Sequence, residues 1–164
     1  MEVEAAVTSQ KSAKSIQLSF DEILKILPQK PPFVMVDRVI ELIKGERIVA
    51  IKNSNLSELR LLKYEKDISR NCQFPDIMVS EAMGQAGIIF FKNSIGKMMQ
   101  DPMIYLGSID IRFSAHVFIS NQLTTVVAPI KLIPKAAILH AKTYLNRKLV
   151  AEGEMSLSVS QDKL

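Results

Sequence analysis

Glu81 is the residue whose type and setting best suit acid–base chemistry. It lies in Asp76 to Lys97, a stretch that is apolar nearly all the way round from Ile77 to Phe91, and Gln85 follows one helical turn later on the same face. A carboxyl there either exchanges protons with a bound reactant, oriented by the Gln85 amide, or is a structural acid satisfied by its neighbours. The chain has two histidines, His116 and His140. His140 shares a strand face with Ile138, Lys142 and Tyr144, and the lysine marks that face as solvated. Cys72 is the only cysteine, which excludes a disulfide framework and a cysteine metal cluster. No His or Asn pattern makes it a nucleophile, so it reads as an ordinary thiol. Neither a metal nor a cofactor is expected.

The elements that must position these residues follow from period and punctuation. Ser19-Phe20-Asp21-Glu22 reads as a helix start with Ser19 as N-cap, and Phe20, Ile23, Leu24 and Leu27 recur at helical spacing until Pro28. Pro31-Pro32 forces extended chain. Val34 to Ile43 and Arg47 to Ile51, joined at Lys44-Gly45-Glu46, read as a hairpin. Residues 54 to 73 carry no period and read as irregular and exposed. The run from Ile77 to Phe91, interspersed with Ser80, Ala82, Gly84, Ala86 and Gly87, predicts a helix surrounded by protein and closely approached by another backbone. Beyond Gly96 the pattern predicts four strands in a meander: Met103 to Phe113, Gln122 to Ile133, Ala136 to Asn146 and Leu149 to Val159. An antiparallel sheet that must bury such a helix curls around it. The expected class is therefore α+β with the hot-dog architecture. The domain is expected over residues 18–164, after a flexible N-terminal arm at 1–17.

Composition bounds the partners. The 164 residues are 48% hydrophobic and 23% charged, enough for one domain with a real core. The most apolar stretch, Ala86 to Phe91, ends at Lys92, and no run reaches the length of a membrane span. The first seventeen residues lack the apolar region of a signal peptide, and a reducing, cytoplasmic setting is expected. The net charge of +4 suits an acidic partner. Nucleic acid is disfavoured, because aromatic residues make up only 6%, Trp is absent, and no basic block exceeds two adjacent residues.

Five segments in order resemble the bacterial 3-hydroxyacyl-carrier-protein dehydratases. Ile26-Leu27-Pro28-Gln29-Lys30-Pro31-Pro32-Phe33, running on through Val34-Met35-Val36 to Asp37-Arg38, is similar to their Leu-Pro-His-x-x-Pro-Phe, three apolar residues, Asp-Arg. Gly45 to Asn53 continues it without a gap. Glu81-Ala82-Met83-Gly84-Gln85-Ala86 resembles the family's Glu-Ala-Met-Ala-Gln-Ala. Val117 to Leu123 resembles its Val-x-Pro-Gly-Asp-Gln-Leu turn, and Lys148 to Gly153 its last hairpin. The resemblance covers roughly residues 20 to 160.

It implies removal of water from a 3-hydroxyacyl thioester by a histidine, a helix carboxylate, and helix-start amides that polarise the carbonyl. The carboxylate is then Glu81, with Gln85 orienting it, and Pro75 keeps the family's six-residue separation from it. The histidine position falls on Asp67 without gaps, or on Gln73 if Phe74-Pro75 is the family's Phe-Pro. Gln29 stands at the other family histidine and Asp76 at the Pro-Gly glycine, where it is expected to cap the helix. Phe33, Phe74, Pro75, Asp76, Gln85 and His116 are the expected substrate-binding residues. His116 occupies a channel position and is the histidine to test as a replacement base. Asp67 serves as a base only if burial raises its pKa. Three readings stay open: a hydro-lyase with an altered site, a non-catalytic hot-dog subunit that binds acyl chains or pairs with an active dehydratase, and an acyl thioesterase. The implied partners are acyl-carrier protein or acyl-coenzyme A, met near Lys92, Lys97 and Arg112. A homodimer, an oligomer of dimers or a heteromer with an active dehydratase is also implied.

Overall fold

The computed structural model describes residues 14–61, 72–95 and 103–160. In chain order these form β1 (Ile16–Leu18), α1 (Phe20–Ile26), β2 (Arg38–Ile43), β3 (Arg47–Asn53), α2 (Leu56–Leu61) and β4 (Gln73–Phe74). Then come α3 (Asp76–Ser94), β5 (Met103–Phe113), β6 (Val117–Phe118), β7 (Gln122–Ile133), β8 (Ala136–Leu145) and β9 (Lys148–Ser160). Seven strands make one antiparallel sheet in the order β1-β2-β3-β7-β8-β9-β5, and β4 pairs with β6 in a separate ribbon.

Local chemistry accounts for most boundaries. The Glu22 carboxylate accepts from the Ser19 N–H and hydroxyl, both at 2.8 Å, which closes the start of α1. The β8–β9 hairpin turns through Asn146 and Arg147, both at positive φ (50° and 68°), the geometry a two-residue turn requires. Strand β8 alternates strictly: Ala137, Leu139, Ala141 and Thr143 are buried, while Ile138 is exposed and His140 and Lys142 are half-buried between them.

The core lies between the concave face of the sheet and α3, twelve of whose nineteen residues are buried. The helix contacts β3, β5, β7, β8 and β9. With strands about 4.8 Å apart, one helix reaches five of them only when the sheet curls around it. This is the hot-dog arrangement. Gly87 permits the close approach, since a Cβ there would lie 2.7 Å from Met155 Sδ and 3.2 Å from Leu139 Cδ1.

Four expectations change. The last four strands are not a meander: β7, β8 and β9 are consecutive neighbours, but β5 crosses to the far side of β9 and forms the sheet edge. Strand spacing along a sequence leaves that choice open. Ile16 and Gln17, read as part of the arm, already belong to β1, which pairs with β2. The segment read as irregular and exposed contains α2 and the first residue of β4, with Ser54 and Glu58 buried. The Ser54 hydroxyl donates to Phe118 O at 2.8 Å, and Asn55 Oδ1 accepts the Glu58 N–H at 3.2 Å, so side-chain bonds replace the missing apolar period. Asp76 is the first helical residue, and the N-cap is Pro75. Proline serves there because the N-cap N–H needs no intrahelical acceptor.

Candidate active site around Glu81

Gln85 is 1% exposed, and both N–H groups and the oxygen of its amide are hydrogen-bonded. Its Oε1 accepts the Met35 N–H at 2.7 Å; its Nε2 donates to Phe33 O at 2.8 Å and to Glu81 Oε1 at 2.7 Å. Because Met35 offers a backbone donor, the Gln85 oxygen must face it and the amide nitrogen must face Glu81. Glu81 Oε1 is thereby an acceptor, and it receives a second donor, Gln29 Nε2, at 3.3 Å. The carboxyl thus has one oxygen, Oε1, held by two amides.

The parts converge from distant sequence. Helix α3 supplies Glu81 and Gln85 four residues apart. Pro31-Pro32, expected to be extended, instead form a turn closed by the Phe33 N–H on Lys30 O at 2.9 Å, and the chain after it brings Phe33 and Met35 alongside. The loop that carries Gln29 is fixed on both sides. Leu27 is buried in the core with its N–H on Ile23 O at 3.0 Å, and Lys30 donates through Nζ to Leu24 O at 3.1 Å. Glu81 itself is exposed, and so are two apolar neighbours: Ile77, one turn earlier on its helix face, at 70%, and Phe33 at 63%. The chain alone leaves this carboxyl beside an uncovered apolar surface.

At the start of α3 the Met78 N–H and Val79 N–H turn back to Pro75 O, at 2.9 and 3.4 Å. The preceding N–H groups of Asp76 and Ile77 have no intrahelical acceptor and face outward from the helix end. The ribbon register Phe74↔Val117 sets His116, which is exposed, at the same end as Pro75 and Asp76. Asp76 lies about 7.5 Å from Glu81 along the axis, so the two occupy one end of the helix. Phe74, also expected at the site, is fully buried and packs in the core cluster. His140 is remote, on the outer face of the sheet, with Nε2 3.0 Å from Glu152 Oε1. Lys142 shares that oxygen at 3.1 Å, and its contact holds the Glu152 carboxyl below the ordinary carboxylate range.

Asp67 lies outside the described residues, as does Lys97. Helix α2 is tied to the sheet: the buried Lys52 pairs with Glu58, Lys52 Nζ lies 3.7 Å from Asp37 Oδ1, and Asp37 Oδ2 accepts the Asn53 N–H at 2.5 Å. Lys92, expected near a channel mouth, donates to the carbonyl of Ile26, the last residue of α1, at 2.9 Å. Gln29 was legible only as a substituted histidine, and the Met35 N–H, a backbone group, leaves no mark in residue types.

Among the described residues no group of His, Cys, Asp and Glu is arranged to hold a metal ion, and no helix is long and apolar enough to cross a membrane. No protein-family model matches the chain. Curated relatives do. The 3-hydroxyacyl-[acyl-carrier-protein] dehydratase FabZ of Actinobacillus pleuropneumoniae is 34% identical over 135 residues, covering 82% of this chain and 86% of the relative. The chain belongs to this dehydratase family. The FabZ of a Sulfurovum species is 36% identical over 145 residues, covering 84% of this chain and 94% of the relative. Solved structures similar in fold include Cj0977, a sigma28-regulated virulence protein of Campylobacter jejuni (TM-score 0.63, 12% identity, 88% and 92% of the two chains). Another is the dehydratase heterocomplex ApeI:P of Xenorhabdus doucetiae (TM-score 0.61, 12% identity, 85% and 91%). In this family member the helix carboxylate and its glutamine partner are joined by a short hydrogen bond.

Proposed function

We propose that this chain is a dehydratase-like protein of fatty-acid or related lipid or polyketide biosynthesis, acting on 3-hydroxyacyl thioesters of acyl-carrier protein or coenzyme A. The observation that carries the reading is the Glu81 carboxyl, held through Oε1 by the fixed Gln85 amide at 2.7 Å with Oε2 left for proton transfer. In dehydration the C3–O bond breaks and the departing oxygen takes a proton from Glu81 Oε2. The C2–H electron pair forms the C2=C3 bond, and the C2 proton passes to a second group. Asp67 is the proposed second group, with His116 as the other candidate. Exchange with the released water returns both groups to their starting protonation. The outward N–H groups of Asp76 and Ile77 would receive the thioester carbonyl, whose oxygen gains negative charge as the C2 proton leaves.

A second reading, a non-catalytic subunit paired with an active dehydratase, is favoured by the exposure of Glu81 between Ile77 and Phe33. A second copy, or a related subunit, would cover that surface. Strand β5 supports either assembly: it is an eleven-residue sheet edge carrying the exposed side chains of Met103, Tyr105, Leu106 and Ile109.

The test is mass-spectrometric turnover of a 3-hydroxyacyl-carrier protein by the purified protein and by Glu81→Gln. Dehydration that falls at least about a hundredfold in Glu81→Gln supports the enzyme. Binding without turnover supports the paired subunit. Neither turnover nor binding refutes both.

A further inference from the structure

The outer face of the sheet changes character along β8. His140 and Lys142, gathered on Glu152, make one part of it charged. Beyond them Ile138 is 41% exposed, and Ile133 of β7 is 45% exposed. Ile130, at the bulge between Pro129 and Lys131, is exposed too and extends the patch. The strand register sets these large side chains beside small ones. Ile133 lies opposite Ala136, Ala136 opposite Ser158, and Ile138 opposite Ser156. Large beside small leaves a recess, a cavity of about 300 Å³. Gly107 keeps it open at β5, since a Cβ there would lie 2.8 Å from Ser156 Oγ. The Ser156 hydroxyl is already satisfied by Ser108 Oγ at 2.7 Å, so it adds little polar demand. Solvent-facing sheet positions ordinarily carry polar side chains, and a contiguous apolar patch around a concavity marks a binding surface.

The lining also selects the charge of an occupant. Lys131, opposite Ile138, stands at the rim of the recess, and Lys135 lies in the turn that joins β7 to β8. Among the described residues no carboxylate lines the recess, and none pairs with either lysine. A cavity of this volume is at the small end of ligand sites, with room for one narrow chain. An apolar chain that ends in a negative charge fits both features. We propose that the recess binds a medium-chain fatty-acid anion, its chain against Ile133 and Ile138 and its carboxylate at the Lys131 ammonium. A concave site one chain wide favours a single acyl chain over a flat lipid surface. The recess lies on the face of the sheet turned away from α3, so it is separate from Glu81 and stands independently of the thioester reading.

The test is methyl NMR of isoleucine-labelled protein titrated with sodium octanoate, sodium decanoate, octan-1-ol and vesicles of anionic phospholipid. Octanoate should shift the Ile133 and Ile138 methyls and leave Ile77, beside Glu81, unmoved. Decanoate should bind about four- to fifteenfold tighter than octanoate, the worth of two more methylenes partly removed from water. Ile138→Thr should weaken octanoate about fivefold by removing apolar wall. Lys131→Gln should weaken octanoate about threefold and leave octan-1-ol within about twofold, because an exposed ion pair contributes modestly. Both positions face solvent, and unchanged spectra elsewhere show that the fold is kept. Absence of shifts at Ile133 and Ile138, or octanoate binding that either substitution leaves unchanged, overturns the proposal. Shifts produced by vesicles alone overturn it in favour of a lipid surface. Shifts that grow with protein concentration and block octanoate overturn it in favour of a second copy of the chain. The turnover assay at Glu81 fails or succeeds separately from all of these.

Discussion

Replacing Gln85 by Met would keep the length and buried volume of the side chain while removing three hydrogen bonds. Their worth is unequal. Glu81 and Phe33 are exposed residues, so water can take over at the carboxylate and at the Phe33 carbonyl. Met35 is 4% exposed, and its N–H would lose the acceptor it has at 2.7 Å with no replacement in reach. A stranded buried donor costs about 1–3 kcal/mol, and the other two bonds together add roughly 0–1 kcal/mol. Gln85→Met should therefore destabilise the fold by about 2 kcal/mol, a fall in Tm of about 4–8 °C for a chain of this size. Urea unfolding followed by circular dichroism measures it, with the m-value checked for two-state behaviour. Gln85→Glu supplies the control. It can still accept from Met35, but it sets a second carboxylate against Glu81, so its destabilisation should be greatest near neutral pH. The loss should ease as the pH falls and one carboxyl of the pair takes up a proton. A Gln85→Met protein within about 0.5 kcal/mol of wild type would refute the claim that Gln85 fixes Met35, and with it the fixed orientation of the amide.

Gly153→Ala should cost about 3 kcal/mol, because a Cβ there would lie 2.7 Å from Ile111 Cα and push β9 away from β5; a wild-type denaturation midpoint would show that the edge strand yields freely. Stability should also fall in acid. Glu22, Glu41 and Glu152 are each held below the ordinary glutamate range, by hydrogen bonds from Ser19, Arg47 and Lys142 respectively. A lowered carboxylate stabilises the fold fully above its unfolded pKa and loses that contribution as pH falls through the folded one. Melting curves should be flat from about pH 8 to 6 and decline below about pH 4.5, less steeply at high salt because these pairs are exposed. A decline beginning above pH 6 would implicate a different group.

How far the sequence alone reached can be read from individual elements. Its periods determined the two-sided burial of α3 and the limits of β5 and β7, since a helix apolar all round and a strand of period two are written in side-chain type. The i, i+4 spacing of Glu81 and Gln85 likewise placed both on one face. Order within the sheet was not determined, because β5 could equally well have paired with β7, the next strand of the same sheet along the chain, as with β9, which it meets in the fold. Small polar side chains that satisfy backbone groups, as Ser54 does at Phe118 O, build structure without any apolar period, so 54 to 61 looked irregular. The site divides in the same way. Residue types located the carboxyl and its glutamine neighbour. Only the folded chain decided that Phe74 is core, that His140 faces outward against Glu152, and that a backbone N–H at Met35 orients the amide on which Glu81 depends. It also set Gln29, fifty-two residues away, against that carboxyl. Contacts of such separation depend on where the backbone turns, and hydrogen-bond direction depends on what each neighbour already donates or accepts. Neither is a property of any single residue.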